Sequence, residues 1–129
     1  MNDRMRIGDL TERAEVTPRT VRYYESIGLI PPGEREGHGQ HYYTVETLAR
    51  LRKIDQLKKL GLSLDEIRDV IDFYFTDPSG IQPKQKVLAI LRQHLAETEQ
   101  KISGLQQFRL DLQAHIEHFE RWLEEREQH

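Results

Sequence analysis

The sequence contains no cysteine among its 129 residues. Disulfides, thiolate nucleophiles and cysteine-ligated zinc or iron–sulfur sites are therefore excluded for this chain. No apolar run approaches the roughly 18 residues needed to cross a bilayer, and no apolar segment of a secretory signal follows the first residues. There is no glycine-rich phosphate loop and no Ser, His and Asp group with a reason to converge, so no enzyme activity is predicted. These absences predict a cytoplasmic protein that does not bind a membrane.

Basic residues are outnumbered, with 19 Lys and Arg against 22 Asp and Glu and a formal net charge of −3. A total of this sign argues against a nucleic-acid partner, but the distribution of charge does not. Residues 1–62 hold 11 basic and 9 acidic side chains, a net of +2, whereas residues 63–129 hold 8 and 13, a net of −5. The cations of the first part are clustered, at Arg19, Arg22, Arg50, Arg52, Lys53, Lys58 and Lys59. A solvated helix face is the simpler explanation of such a cluster.

Two short helices separated by a turn are predicted for the first 28 residues. Apolar residues at helical spacing define the first helix: Ile7, Leu10 and Ala14. Thr17-Pro18 marks the start of the second, because Thr17 can cap free N–H groups and Pro18 lacks the donor that would be orphaned there. Gly28 tolerates the left-handed conformation in which helices commonly end. This spacing is typical of a helix-turn-helix.

A small hairpin and two further helices are predicted next. Three glycines among polar residues at 33–41, followed by β-favouring residues to Thr44, indicate a hairpin with a flexible tip. Thr44 is the candidate cap of a third helix that closes at Gly61. Ser63 and Glu66 fit a capping box for a fourth helix, predicted to continue through Ile67, Val70 and Ile71 into the aromatic run at 73–75.

A long helix is predicted after the clearest break in the sequence, a linker at residues 77–83 that follows a first domain at 1–76. Residues 84–129 contain one helix breaker, Gly104. With heptad position a at Leu88, nine of the eleven a and d positions are apolar, which is typical of a coiled coil. Such a helix needs a partner for its stripe, most simply a second copy, unless it folds back on its own domain. The predicted dimerisation residues are Leu88, Leu91, Leu95, Ile102, Leu105, Leu112, Ile116 and Phe119.

A specific run of residues lies in the predicted helix-turn-helix, where positions 16–30 read VTPRTVRYYESIGLI. Further motifs are IGDL at 7–10, Tyr43-Thr44, and KKLGLSLDEI at 58–67. Together with the terminal helix they cover essentially the whole chain, and TVRYYE at 20–25 is the most specific of them. By these motifs the chain resembles the MerR family of bacterial transcription regulators.

The resemblance implies a mostly helical fold, in which a winged helix-turn-helix DNA-binding domain precedes a long helix that forms an antiparallel coiled coil in a homodimer. It implies as partners a double-stranded promoter with a two-fold related operator, RNA polymerase at that promoter, and a second copy of the chain. Members bend and undertwist promoters whose spacer is too long, which is indirect readout of DNA. It implies no cofactor.

The resemblance also assigns DNA contacts. Arg19 and Arg22 lie three apart on the recognition helix, where they can reach base edges or phosphates. Tyr23 and Tyr24 point roughly 100° apart, so one should pack inward while Tyr23 faces the DNA backbone. Lys58 corresponds to a phosphate contact of the family. The full predicted set is Thr17, Pro18, Arg19, Thr20, Arg22, Tyr23, Tyr24, His41, Tyr42, Tyr43, Arg50, Arg52 and Lys58.

The wing departs from the family pattern. Members commonly carry Gly-Tyr-Arg-x-Tyr there, whereas this chain has GQHYY at positions 39–43. His41 therefore stands where the family has a phosphate-binding arginine. A neutral imidazole offers one N–H instead of a permanent bidentate charge, which predicts a weaker contact that responds to pH.

The effector is harder to predict. Metal and redox sensors of the family use cysteines at the end of the dimer helix, so their usual thiolate and iron–sulfur sites are excluded here. His115 and His118, near Glu117 and His94, resemble part of a Zn, Ni or Co site, but two histidines without a third ligand are more often surface residues. Aromatic residues are candidates for an apolar small-molecule pocket, or simply for core: Phe73, Tyr74, Phe108, Phe119 and Trp122.

Two other classes of function fit parts of this sequence besides a DNA-binding regulator. An architectural DNA binder without an effector would not require the long dimer helix, which fixes the spacing of half-sites. A coiled-coil interaction protein whose first domain binds protein would leave Arg19, Arg22 and the basic third helix unexplained. A regulator that senses a metal through histidine is the remaining variant.

Overall fold

The computed structural model describes residues 4–37 and 39–128, so His38 in the predicted hairpin tip lies outside the described residues. The elements in chain order are α1 (Ile7–Ala14), α2 (Pro18–Ser26), β1 (Glu34–Glu36), β2 (Gln40–Tyr42), α3 (Val45–Lys59), α4 (Leu64–Val70), α5 (Phe73–Thr76) and α6 (Ile81–Glu127). The chain divides into two units after Leu91. The mostly helical fold and the long terminal helix are confirmed.

The helix-turn-helix forms as the sequence predicts. Thr17 Oγ1 accepts a hydrogen bond from the Thr20 N–H at 3.1 Å, and Pro18 occupies the first turn of α2. Gly28, two residues beyond α2, has a φ of +78°, a conformation that costs glycine little. Leu10 of α1 and Val21 of α2 are fully buried and place both helices on one core.

The hairpin is extended by the chain before α1. β1 and β2 pair antiparallel with Arg35 opposite His41. Met5 then bonds to Tyr43 in both directions, with N···O distances of 2.8 and 2.7 Å. A Cβ added at Gly33 would lie 2.8 Å from the Tyr43 ring, so the loop before β1 approaches Tyr43 as closely as only glycine allows.

The third helix supplies the centre of the core, with Leu48, Leu51, Ile54 and Leu57 all buried. Thr44 is at the N-cap position of α3, but the prediction that its side chain caps the helix is wrong. Glu46 places a negative charge in the first turn of α3, where it interacts favourably with the positive end of the helix dipole. The capping box of α4 is confirmed, with Ser63 and Glu66 each bonding the backbone N–H of the other.

The prediction of one helix from α4 into the aromatic run is also wrong. α4 ends at Val70, and the hydrogen bonds at Tyr74 and Phe75 reach back three residues, to Ile71 and Asp72. The tight turn leaves Ile71 in the core, 2% exposed, while Asp72 accepts a hydrogen bond from Arg50 of α3. This tertiary contact has no signature in the helical periodicity.

The sixth helix begins at Ile81, within the segment 77–83 that the sequence favours as a linker. The Asp77 carboxylate accepts from the backbone N–H groups of Ser79 (3.0 Å) and Gln82 (2.9 Å), and Ser79 Oγ accepts from the Ile81 N–H (3.1 Å). These bonds satisfy donors that a helix N-terminus leaves open. The Asp77 carboxylate also accepts from the Ser79 hydroxyl at 2.7 Å, and this bond is the largest cause that holds the pKa of Asp77 below its ordinary value, followed by the bond from the Gln82 N–H.

The first turns of α6 belong to the first unit. Pro83 and Val87 are buried, and Ile90 and Leu91 pack against the core. From Leu95 to Gln128 every described residue is exposed. Gly104 does not interrupt the helix. Among the described residues, no helix is both long and apolar enough to cross a membrane.

Candidate nucleic-acid interface

The exposed side of α2 carries the cations predicted from the sequence. Val21 and Tyr24 face the core, so Pro18, Arg19 and Arg22 are left on the exposed side. Thr17 and Thr20 are joined by a hydrogen bond of 3.0 Å between their hydroxyls. The helix thus presents two permanent positive charges next to a pair of hydroxyl groups.

The two adjacent tyrosines of α2 have different surroundings, as predicted. Tyr23 is 52% exposed, whereas Tyr24 is 5% exposed and lies in the core. Lys58 of α3 lies with its Nζ 3.5 Å from the Tyr24 hydroxyl, which brings its charge to the side of α2. Tyr24 therefore packs in the core beneath the exposed side of α2 and contacts Lys58, which corrects its assignment as a direct contact with DNA.

The hairpin tyrosines are also structural. Tyr43 is 5% exposed, and its hydroxyl donates to the Glu25 carboxylate of α2. Burial and that carboxylate raise the pKa of Tyr43 well above its ordinary value, with burial as the larger cause. Tyr42 is half-buried, donates to Glu34 and lies beneath the Arg4 guanidinium, 4.3 Å from the ring centroid. We correct the role of Tyr43 from DNA contact to anchor between wing and recognition helix.

His41 is exposed, but one side of its ring is already engaged. Its Nδ1 lies 3.1 Å from the Gly33 carbonyl oxygen. Because a carbonyl can only accept, Nδ1 carries the proton, and Nε2 of the neutral ring has none to donate. Phosphate oxygens also only accept, so His41 can donate to a phosphate through Nε2 only as an imidazolium.

A cleft of about 600 Å³ separates α2 from the hairpin. Its lining includes Arg22, His41 and Arg6, a residue that the sequence analysis did not single out. Arg6 Nη1 lies 3.5 Å from the His41 carbonyl oxygen. The signal that could have found it is the alternation of charged and apolar residues in Arg4-Met5-Arg6-Ile7, a pattern typical of an edge strand.

Arg50 and Arg52 of α3 have different environments. Arg50 Nη1 donates to Asp72 at 2.8 Å, its Nε lies 3.5 Å from Glu46, and its guanidinium stacks 4.8 Å from the Phe75 centroid. Its side chain is only 14% exposed. Arg50 therefore joins α3 to α5, which corrects its assignment as a DNA contact. Arg52 is exposed.

The aromatic run 73–75 is partly buried, and each ring lies against a cation. Lys86 Nζ is 4.6 Å from the Phe73 centroid and Lys53 Nζ is 4.4 Å from that of Tyr74. Burial raises the pKa of the Tyr74 hydroxyl. Phe73 and Tyr74, predicted to line an effector pocket, thus contact lysines of α6 and α3.

The other predicted pocket residues lie on the second unit and are exposed: Phe108 (56%), Phe119 (64%) and Trp122 (47%). An open groove of about 480 Å³ is lined by His118, Phe119, Trp122 and Leu123. Among the residues that the structure describes, no three His, Asp or Glu side chains come together as a metal site.

A winged helix-turn-helix that exposes arginines on its recognition helix is typical of DNA-binding proteins, and this chain has that arrangement. The family profile described as MerR HTH family regulatory protein matches residues 5–73, and the profile described as MerR, DNA binding matches residues 48–115. The chain belongs to the MerR family of DNA-binding transcription regulators and is not an enzyme.

Two curated relatives illustrate the similarity. The regulator ZntR of Escherichia coli is 37% identical over 108 residues, covering 84% of this chain and 75% of the relative. The regulator HmrR of Rhizobium leguminosarum is 34% identical over 114 residues, covering 88% and 84%.

Two solved structures share the fold. PbrR691 of Ralstonia metallidurans, solved in complex with lead(II), has a TM-score of 0.69 at 31% identity and matches 84% of this chain and 82% of its own. HiNmlR, a family regulator lacking the sensor domain and bound to promoter DNA, has a TM-score of 0.54 at 21% identity over 81% and 77%.

Proposed function

We propose that this protein regulates transcription as a homodimer that binds a two-fold related operator in a sequence-specific way. The observation that carries the proposal is the exposed pair Arg19 and Arg22 on α2, beside the hairpin. Arginine in the major groove can bond bidentately to guanine, which is the commonest specific contact in protein–DNA recognition. Its place of action is then the bacterial cytoplasm, where promoter DNA lies.

The dimer is supported by the apolar stripe of α6. Of the predicted dimerisation residues, Leu91 packs against the core, and the others are 44–68% exposed: Leu88, Leu95, Ile102, Leu105, Leu112, Ile116 and Phe119. A stripe of this length in contact with water is unfavourable, and a second copy can cover it by heptad packing. We propose that the two α6 helices pair antiparallel.

At its promoter, the dimer bends and undertwists a spacer that is too long, so that RNA polymerase engages both elements. The basis of this part is the family, whose members act on such promoters, together with a dimer that holds two recognition helices at a fixed spacing. The domain division that accompanies it is a DNA-binding part at 1–76, a connection at 77–83 and a dimerisation part at 84–129.

The test is a mobility shift on DNA from the region upstream of the protein's own gene, with unrelated duplex as competitor. We expect a complex that survives the competitor, and a protein that stays dimeric without binding would overturn the proposal. Transcription from the same promoter with its natural and a shortened spacer then separates a regulator from an architectural binder. Only a regulator that reshapes the spacer loses its effect when the spacer is shortened.

We propose an apolar small molecule as the effector, rather than a metal ion. The aromatic groove beside Trp122 favours such a ligand, and in the proposed dimer the second copy borders this groove where it covers Phe119. The absence of cysteine removes thiolate sites. A thermal-stability screen should show stabilisation by apolar compounds, because a ligand that binds only the native state stabilises it by mass action. Stabilisation by Zn, Ni or Co alone, lost in a His115→Ala, His118→Ala variant, would favour a histidine-ligated metal sensor.

A further inference from the structure

The cleft between α2 and the hairpin draws its positive charge from two elements, the recognition helix α2 and the segment before α1. Arg22 lines it from α2, and Arg6 lines it from the strand-like segment before α1. Among its described lining residues, Glu25 is the one acidic side chain, and the Tyr43 hydroxyl donates to its carboxylate. With His41 neutral, the charged side chains of the cleft sum to one positive charge, which suits a single anionic group.

The position of Arg6 is fixed by backbone pairing rather than by its own side chain. The neighbouring Met5 pairs with Tyr43 through two short backbone hydrogen bonds. This pairing fixes the backbone of Arg6 beside the hairpin, at the N-cap position of α1. Its side chain is exposed, and its hydrogen bond to the His41 carbonyl oxygen, at 3.5 Å, is long. A guanidinium has five N–H donors, and this bond uses one of them.

A neutral His41 cannot donate a hydrogen bond to an anion in the cleft, whereas Arg6 can. Its proton is used on Gly33, and the remaining ring nitrogen is an acceptor. An anion in the cleft therefore finds permanent donors on the two arginines and none on the ring of a neutral His41.

We propose that Arg6, together with Arg22, binds a backbone phosphate of DNA in this cleft, and that Arg6 supplies the fixed charge that His41 lacks. The proposal rests on the DNA-binding function proposed above. A phosphate contact is independent of sequence and releases counterions, so it contributes to specific and non-specific binding alike.

The test compares Arg6→Gln with the wild type in titrations of two fluorescent duplexes, one from the protein's own upstream region and one unrelated. The matched control is Arg121→Gln, which removes the same charge from an exposed position of α6. We expect Arg6→Gln to weaken binding to both duplexes about tenfold and to lower the logarithmic salt slope by about 0.9. Arg121→Gln should change neither, and Arg6→Lys should restore the slope because it keeps the charge.

A purely structural role of Arg6 gives a different result. Arg6→Gln and Arg6→Lys would then both lower the melting temperature and leave the salt slope at its wild-type value, which would overturn the inference. Failure of the proposed function is distinguishable, because the wild type would then bind its upstream duplex no better than the unrelated one. The slope on the unrelated duplex still reports on Arg6 in that case.

Discussion

His41 occupies the position at which the wing of this chain departs from its family. Its neutral ring carries the proton on Nδ1, so Nε2 is an acceptor. The bond from Nδ1 to the Gly33 carbonyl leaves an acceptor facing outward. The sequence identified the position but not the tautomer, because Gly33 is eight residues away and its approach depends on the hairpin fold.

Replacing His41 with arginine should therefore strengthen DNA binding. His41→Arg adds a permanent donor where the neutral ring has none, and we expect affinity to rise on the order of tenfold, as for one charged hydrogen bond. The salt slope should become steeper by about 0.9. Titration of the upstream duplex at two salt concentrations measures both, and equal binding by variant and wild type would refute the role given to His41.

Tyr43 gives a prediction for stability. Tyr43→Phe removes the hydroxyl that donates to Glu25, and we expect the free energy of unfolding to fall by about 1 kcal/mol at neutral pH. Because the pKa of Tyr43 is raised in the folded chain, the unfolded chain loses the hydroxyl proton at a lower pH than the folded chain does. Stability from this bond is therefore complete below the ordinary value of 10.0 and declines as the pH rises above it.

Denaturant titrations of wild type and Tyr43→Phe across that pH range check the sign. The stability gap should narrow as the solution becomes more alkaline. Tyr23→Phe is the matched control, because Tyr23 is exposed, and it should unfold like the wild type. A gap that stays constant or widens with pH would contradict the assignment.

Among the elements, α3 shows how two similar arginines take different roles. Arg50 bonds to Asp72 and stacks on Phe75, whereas Arg52 is exposed. Arg50→Gln should lower the free energy of unfolding by about 1–3 kcal/mol, since it breaks a charged hydrogen bond of a side chain that is only 14% exposed. Arg52→Gln should leave stability unchanged and weaken DNA binding. Chemical denaturation combined with duplex titration measures both, and the reverse pattern would mean that the two roles are exchanged.

The start of α6 depends on one carboxylate. Asp77→Asn should lower the melting temperature, because Asp77 accepts bonds from Ser79 and Gln82 and its charge favours the helix N-terminus. Its lowered pKa means that this stability is present above the ordinary aspartate value of 3.8 and is lost as the pH falls through the native pKa. The difference in melting temperature between variant and wild type should therefore shrink in acid. Asp69→Asn, at an exposed position of α4, is the control, and a difference that persists at low pH would point to another cause.

The sequence predicted the helix-turn-helix, the hairpin, the capping box and the long helix because each has a local signature. Thr17-Pro18 fixes a helix start, and a heptad stripe fixes a helical period. Three features were missed because they depend on contacts between distant residues. These are the break between α4 and α5, the pairing of Met5 with Tyr43, and the engagement of Arg50 by Asp72.

For the whole molecule, dimerisation is the property on which an operator with two half-sites depends. Leu105→Glu places a charge at a d position of the stripe, where Leu105 is 68% exposed, and we expect sedimentation to find a monomer. Leu110→Glu makes the same change at a b position, where Leu110 is 56% exposed, and should remain dimeric. Dissociation by both variants, or by neither, would contradict the predicted register.

The charge asymmetry of the chain also makes sense at this scale. The net of −3 hides a first part with clustered cations and an acid excess at residues 63–80, which hold five acidic side chains and one basic one. The long helix α6 is close to neutral, with eight acidic and seven basic side chains, so the clustered cations of the first part mark the winged helix as the binding surface.

The central claim is that two copies of this chain bind one operator through their winged helices. Sedimentation of the protein with a fluorescent duplex from its own upstream region tests it most directly. We predict two chains on each duplex, with binding lost in an Arg19→Ala, Arg22→Ala variant that remains dimeric. One chain per duplex, or full binding by that variant, would contradict the account.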